Sequence, residues 1–205
     1  MNTSKCVSYS SRLSVLLCVV AIASVVTGCT QTYTSYYDEH QKQVEFEYRS
    51  GEGKQRVKQG TYTQWYADGV KGVEGTYSAD VKDGAFSHWY PNGVLAKQAN
   101  YTDGVLDGSY VEWHINGHKS LELTYVDGMP SGTMIAWNES GDVIRKSTFK
   151  NGVRDGMRIE RSSDGTVSSE VSYQDGVRHG IAKIRVEDTG EMMTASFAAG
   201  VISTK

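Results

Sequence analysis

Six glycines recur every 24 residues: Gly60, Gly84, Gly108, Gly132, Gly156 and Gly180. A fixed period of this size marks an array of repeated supersecondary units, each unable to bury its apolar face alone. A second glycine follows each lattice position by nine residues, at Gly69, Gly93, Gly117, Gly141 and Gly165, and slips by one to Gly190. A third precedes it by four, at Gly104, Gly128, Gly152, Gly176 and Gly200, with Asp80 in the first copy. The aromatics keep the same clock. Trp65, Trp89, Trp113 and Trp137 stand five residues past the lattice, and Tyr77, Tyr101, Tyr125, Phe149, Tyr173 and Phe197 stand seventeen past it.

Each copy therefore reads as turn, strand, turn, strand. Asp68-Gly69, Asn92-Gly93, Asn116-Gly117 and Asp164-Gly165 supply the positive φ of tight hairpins. The second turn reads as longer, as in Thr102–Gly108. The runs between are rich in Tyr, Trp, Val and Thr, which suits strands. No 3.6-residue periodicity follows the N-terminus. The fold class expected is all-β: an elongated, solenoid-like antiparallel meander of about six 24-residue hairpin repeats. At about 4.8 Å per strand, six copies would extend roughly 55–60 Å.

Alternation along each strand assigns faces. Ser109, Val111 and Trp113 share one, and Leu121, Leu123 and Tyr125 share one. Stacked, these predict an apolar face with a Trp ladder and a Tyr/Phe ladder, and an opposite face carrying Thr76, Asn100, Thr124, Thr148, Ser172 and Ser196. Tyr62, Tyr66, Phe86, Tyr90 and Tyr110 fall on that opposite face of the first strands, where aromatics are not needed by the core. Either this ladder is exposed for a partner, or the sheet curls or the tyrosine-rich N-terminal segment covers it. These five are the candidate partner-binding residues.

The pattern G-x-Y-x-x-W-Y-x-[DN]-G, followed by a Tyr and D-G-x-x-x-G, resembles the bacterial variant of the MORN repeat, a variant also found in YwqK-family antitoxins. Its best copies are Gly60–Gly69 and Gly84–Gly93, and the resemblance spans roughly residues 44–202. It implies a β-repeat fold and leaves the role open, since such repeats serve many proteins. The last two copies depart from it: Arg161 and Arg185 replace Trp, and Arg158 and Ala182 replace the early aromatic. Atypical terminal copies suit capping repeats, which places any function of the aromatic face in the first three.

Residues 1–28 read as a targeting segment. Lys5 and Arg12 are its only charges, and Leu13–Val26 is almost wholly apolar. The ending Val26-Thr27-Gly28-Cys29 resembles the bacterial lipobox, which implies cleavage before Cys29 and acylation of its thiol. An ordinary signal peptide or an N-terminal membrane anchor are the alternatives. Cys6 and Cys18 lie inside the removed segment, so acylation of Cys29 would account for an otherwise single free thiol in an exported chain. Resemblance to Gram-negative lipoproteins implies three acyl chains, each buried methylene contributing about 0.8 kcal/mol. Thr30 rather than Asp after the cysteine then favours the outer membrane. Residues 29–43 read as a lipid-anchored tether, and 44–205 as the repeat domain. Val44, Phe46 and Tyr48 form a half-repeat before an enlarged turn over Ser50–Gln59.

Loss of residues 1–28 leaves 19 basic and 24 acidic side chains, which disfavours nucleic acid as a partner. His114 and His118 flank a turn, but no third ligand has matching spacing for zinc. The recurrent Asp83, Asp103, Asp107, Asp127, Asp155 and Asp175 suit turn formation better than calcium, which needs six to eight oxygens. No G-x-S-x-G elbow is present. The expectation is a non-enzymatic, cofactor-free lipoprotein of the cell envelope that binds a protein or an envelope glycan. An immunity or antitoxin-like protein is the alternative that the resemblance suggests.

Overall fold

The computed structural model describes residues 30–50 and 55–202. Among them are seventeen strands and no helix, in a single antiparallel sheet, with the recorded pairings running between strands close in chain order. The residues divide into two compact units. One runs to Leu95 and includes Tyr101–Gly104; the other holds Ala96–Asn100 and the chain from Val105 onward. Each is described by itself.

The array begins earlier than expected. Gln31–Tyr36, inside the stretch read as a tether, is a strand that pairs with Lys42–Ser50 in register from Gln31 against Tyr48 to Tyr36 against Lys42. The half-repeat is thus a whole hairpin, and the enlarged turn ends at Arg56, where the strand Arg56–Trp65 starts. Seven hairpins follow one another among the described residues. The leader and Cys29 lie outside those residues.

The lattice glycines do not form turns. Gly60 faces Tyr77, Gly108 faces Tyr125 and Gly132 faces Phe149, all within strand ladders. Their φ values, from 75° to 109° over the six copies, mark β-bulges. The longer turn predicted at Thr102–Gly108 resolves into a two-residue hairpin and this bulge. Both turn residues are left-handed: Asp103 and Gly104 have φ of 48° and 80°. That pair matches the right-handed twist of the flanking strands. The other hairpin turn keeps only its glycine left-handed, and the preceding Asp or Asn caps it. Asn92 Oδ1 accepts from the Val94 amide at 3.1 Å, for example.

One backbone contact recurs through the array. The amide at the third glycine series donates to a carbonyl 22 residues earlier: Asp80 to Lys58 (3.0 Å) and Gly104 to Lys82 (2.8 Å) in the first unit. In the second unit Gly128 donates to Leu106 (2.8 Å), Gly152 to Pro130 (3.0 Å) and Gly176 to Arg154 (2.8 Å). It joins each turn to the next whatever the side chains.

The predicted mating of faces is reversed. Tyr62 pairs with Gly75, and Tyr110 with Leu123, while Thr61 pairs with Thr76 and Ser109 with Thr124. The early aromatics Tyr62 and Tyr110 therefore share the face of the Tyr/Phe ladder. The Thr set shares its face with Val111. Bulges at Gln64/Trp65 and Glu112/Trp113 complete the change, because one inserted residue reverses the alternation. One row at the 24-residue period, Gly75, Ala99, Leu123, Ser147 and Val171, is buried in every copy it passes, and Phe86, Val111 and Ala182 are buried beside it.

Candidate binding surface

In the first unit the aromatic face is a continuous chain of rings. Tyr33 lies 5.0 Å from Phe46, Phe46 6.4 Å from Tyr62, and Tyr62 5.5 Å from Tyr77. Tyr77 then meets Phe86 at 5.3 Å and Phe86 meets Tyr101 at 5.5 Å, both edge to face, an arrangement the ring quadrupole favours. Lysines cover it. Lys58 Nζ stands 4.8 Å from the Tyr77 ring and 5.6 Å from that of Tyr62, and Lys82 lies 4.7 Å from Phe86 and 4.8 Å from Tyr101. Such cation–π contacts contribute about 0.5–1 kcal/mol each where exposed. The Tyr62 and Tyr77 hydroxyls are shifted above their usual pKa, in both cases first by burial. The second unit opens with one such pair, Tyr110 and Tyr125 at 5.5 Å, and Tyr110 donates to Glu112.

The five candidate residues thus divide. Tyr62 and Tyr110 sit half-buried on the aromatic face. Phe86 is 1% exposed, inserted over Gly75, so it shapes that face from beneath. Tyr66 and Tyr90 are half-buried and leave the strand at its turn. There Tyr66 packs on Gly72 and its hydroxyl donates to the Trp89 carbonyl at 2.7 Å. Equivalent contacts recur: Tyr37 donates to the Trp65 carbonyl at 3.1 Å, and in the second unit His114 Nε2 bonds the Trp137 carbonyl at 2.9 Å. The residue after the Trp position is a staple to the next copy. The pattern of doubled aromatics was its only sequence signal. His118 Nδ1 similarly bonds the Glu139 carbonyl at 2.7 Å, and no group of three or more His, Cys, Asp or Glu among the described residues is placed to hold a metal.

The opposite face is charged and self-neutralised. Lys71 stands 5.3 Å from the Trp89 ring while bonded to Glu74 at 2.6 Å. Lys42 repeats this over Trp65 with Glu45, and Lys119 over Trp137 with Glu122. These pairs are solvent-exposed and add little stability each.

The Lys/Trp pairing ends at Trp137. The ring-to-ring contacts among the described residues end earlier, at Tyr125, since Met134 takes the early-aromatic position of the fourth copy. Arginines still stand over the later rings: Arg154 over Phe149 (5.7 Å) and Tyr173 (5.8 Å), and Arg178 over Phe197 (5.6 Å). In the fifth copy Arg158 replaces the early aromatic and is bonded to Glu160, which also takes Arg145 at 3.0 Å and Ser169 at 3.3 Å. Ser147 Oγ and Arg158 Nε are buried there without a hydrogen-bond partner.

No curated protein matches the chain. Residues 82–103 match the family model described as the MORN repeat variant. This span covers most of one period, from the strand Val81–Lys82 to the hairpin turn at Asp103. Residues 82–103 thus match the MORN repeat variant, and the same turn-to-turn geometry recurs in the neighbouring copies.

Proposed function

We propose that this is a non-enzymatic binding or scaffolding lipoprotein, anchored in the envelope membrane by acylated Cys29, which engages a protein partner through the aromatic face of its early copies. One observation supports the reading above others. The framework of bulge glycines and turn-to-turn backbone bonds recurs in every copy from Gly60 onward, but the ring-to-ring contacts, Tyr33 to Tyr101 in the first unit and Tyr110 with Tyr125 in the second, end with the third copy among the described residues. Copies four to six hold the same backbone with single rings under arginines, so the fold does not require the ring-to-ring contacts. Tyr62, Tyr77 and Tyr101 offer half-buried rings with polar edges beneath Lys58 and Lys82, and Tyr110 offers another half-buried ring, the kind of side chain that dominates protein interfaces. Their pairing with cations favours a partner that contributes carboxylates at the rim.

Two measurements test it. Radiolabelled palmitate should enter the wild-type chain and not Cys29→Ser, and the variant should leave the membrane fraction. Cross-linking in intact cells should trap an envelope protein on a photoreactive residue placed at Tyr62. No palmitate incorporation removes the anchor, and no trapped protein removes the partner.

A further inference from the structure

The charge pattern of the Lys/Trp face inverts at one place. Position by position at the 24-residue period, Lys71, Leu95 and Lys119 give way to Val143. Glu74, Gln98 and Glu122 give way to Lys146, and Trp89, Trp113 and Trp137 give way to Arg161. In the first unit the groove beside Lys71 and Trp89 carries its own counter-ion, since Lys71 is bonded to Glu74. Its counterpart in the second unit is a cleft of about 180 Å³ lined by Val143, Arg145, Lys146, Ile159 and Arg161, with no carboxylate.

The acids on the bordering strands are engaged. Glu160 is bonded to Arg145 and Arg158, and Glu170, across the strand from Ile159, pairs with Lys183 at 3.6 Å. In the adjoining turns Asp142 bonds Asn138, and Asp164 accepts from the amide and hydroxyl of Thr166. Lys146 makes no ion pair among the described residues. Arg161 spends one N–H on the Gly165 carbonyl at 3.1 Å, which leaves the rest of its five donors.

We infer that this cleft is a docking point for an acidic side chain of a protein partner. The inference rests on the reading that the array binds protein, and adds a second contact of defined chemistry. Lys146 and Arg161 receive the carboxylate, Arg161 through two parallel N–H donors, and Val143 and Ile159 pack its aliphatic stem. The volume decides the size of the guest. Sites for whole small molecules run to roughly 300–1,000 Å³, so this cleft takes one side chain rather than a free cofactor.

The experiment follows backbone amide signals of the full isotope-labelled chain by NMR. The probe is N-acetyl-glutamic acid α-amide; its isostere N-acetyl-glutamine α-amide and inorganic phosphate serve as comparators. The glutamate probe should shift the Lys146, Ile159 and Arg161 signals saturably, at least tenfold more tightly than either comparator. The Val143→Lys/Lys146→Glu/Arg161→Trp variant restores the neutral groove of the earlier copies and should lose that response at least tenfold. If this variant does not fold, Lys146→Gln should weaken it at least threefold. Absence of a saturable shift, an equal response to glutamine or phosphate, or an unchanged response in the folded variants overturns the assignment. The readout needs no captured partner, so failure to trap one at Tyr62 counts against the aromatic-face reading alone.

Discussion

The ring of Phe86 lies over the bare backbone of Gly75: a Cβ on that glycine would stand 2.5 Å from two ring carbons. The same glycine is the cross-strand partner of Tyr62, and its missing side chain makes room for the Phe86 ring. Gly75→Ala should therefore destabilise the chain by about 1–3 kcal/mol through overpacking, read as a lower urea midpoint. Combined with Phe86→Ala it should add far less than it does alone, because the clash is gone. Additive losses would mean that the ring does not need the gap.

Tyr66→Phe should lower stability by about 0.5–1.5 kcal/mol, the usual loss for one hydrogen bond. The ring still packs on Gly72, and only the bond to the Trp89 carbonyl disappears. Hydrogen exchange should quicken around the turns beginning at Tyr66 and Tyr90 and stay unchanged near Gly165. A uniform change along the array would contradict a staple between neighbouring copies.

Ala79 adopts a left-handed φ of 49° in a turn position held by Asp103, Asp127, Asn151 and Asp175 in the next four copies and by Ala199 in the last. A residue with a Cβ and no local hydrogen bond is disfavoured there by about 1–2 kcal/mol. Ala79→Asn should recover part of that, about 0.5 kcal/mol or more, and raise the denaturation midpoint.

Alkali should act on the aromatic face first. The Tyr62 and Tyr77 hydroxyls titrate above the ordinary tyrosine value in the folded chain, chiefly because burial disfavours the phenolate. A folded-state pKa raised above the unfolded one gives stability that is complete below the unfolded value of about 10 and is lost as pH rises through the folded one. Tyr62→Phe/Tyr77→Phe should flatten the fall in stability above pH ~10, followed by urea titration across that range. The same slope in both chains would exclude these two hydroxyls as its cause.

The repeat, its strands and the ring series were legible because turn chemistry is local: Asn-Gly and Asp-Gly pairs act within four residues. The mating of faces was not, since it depends on register, and register turns on the bulges at the lattice glycines and at Gln64/Trp65. Read as turns, those glycines put Leu121, Leu123 and Tyr125 on the face of Trp113; as bulges they put them with Tyr110. The first hairpin was hidden for a simpler reason. Extra residues before Arg56 stretch the step from Tyr37 to Tyr66 to 29, breaking the 24-residue frame although Tyr37 makes the same staple. The fifth-copy substitutions were visible in sequence as departures from the pattern. That Lys146 and Arg161 border one cleft required the cross-strand register.

A binding role for the early copies separates a uniform framework from a face decorated at one end of the sequence. Quantitative capture of envelope proteins by the purified chain tests it most directly, comparing wild type with Tyr62→Ser/Tyr110→Ser and with Phe149→Ser/Tyr173→Ser, each checked for folding. The account predicts at least a tenfold loss of the captured partner in the first variant and wild-type capture in the second. Equal capture by all three, or loss only in the second, would contradict it.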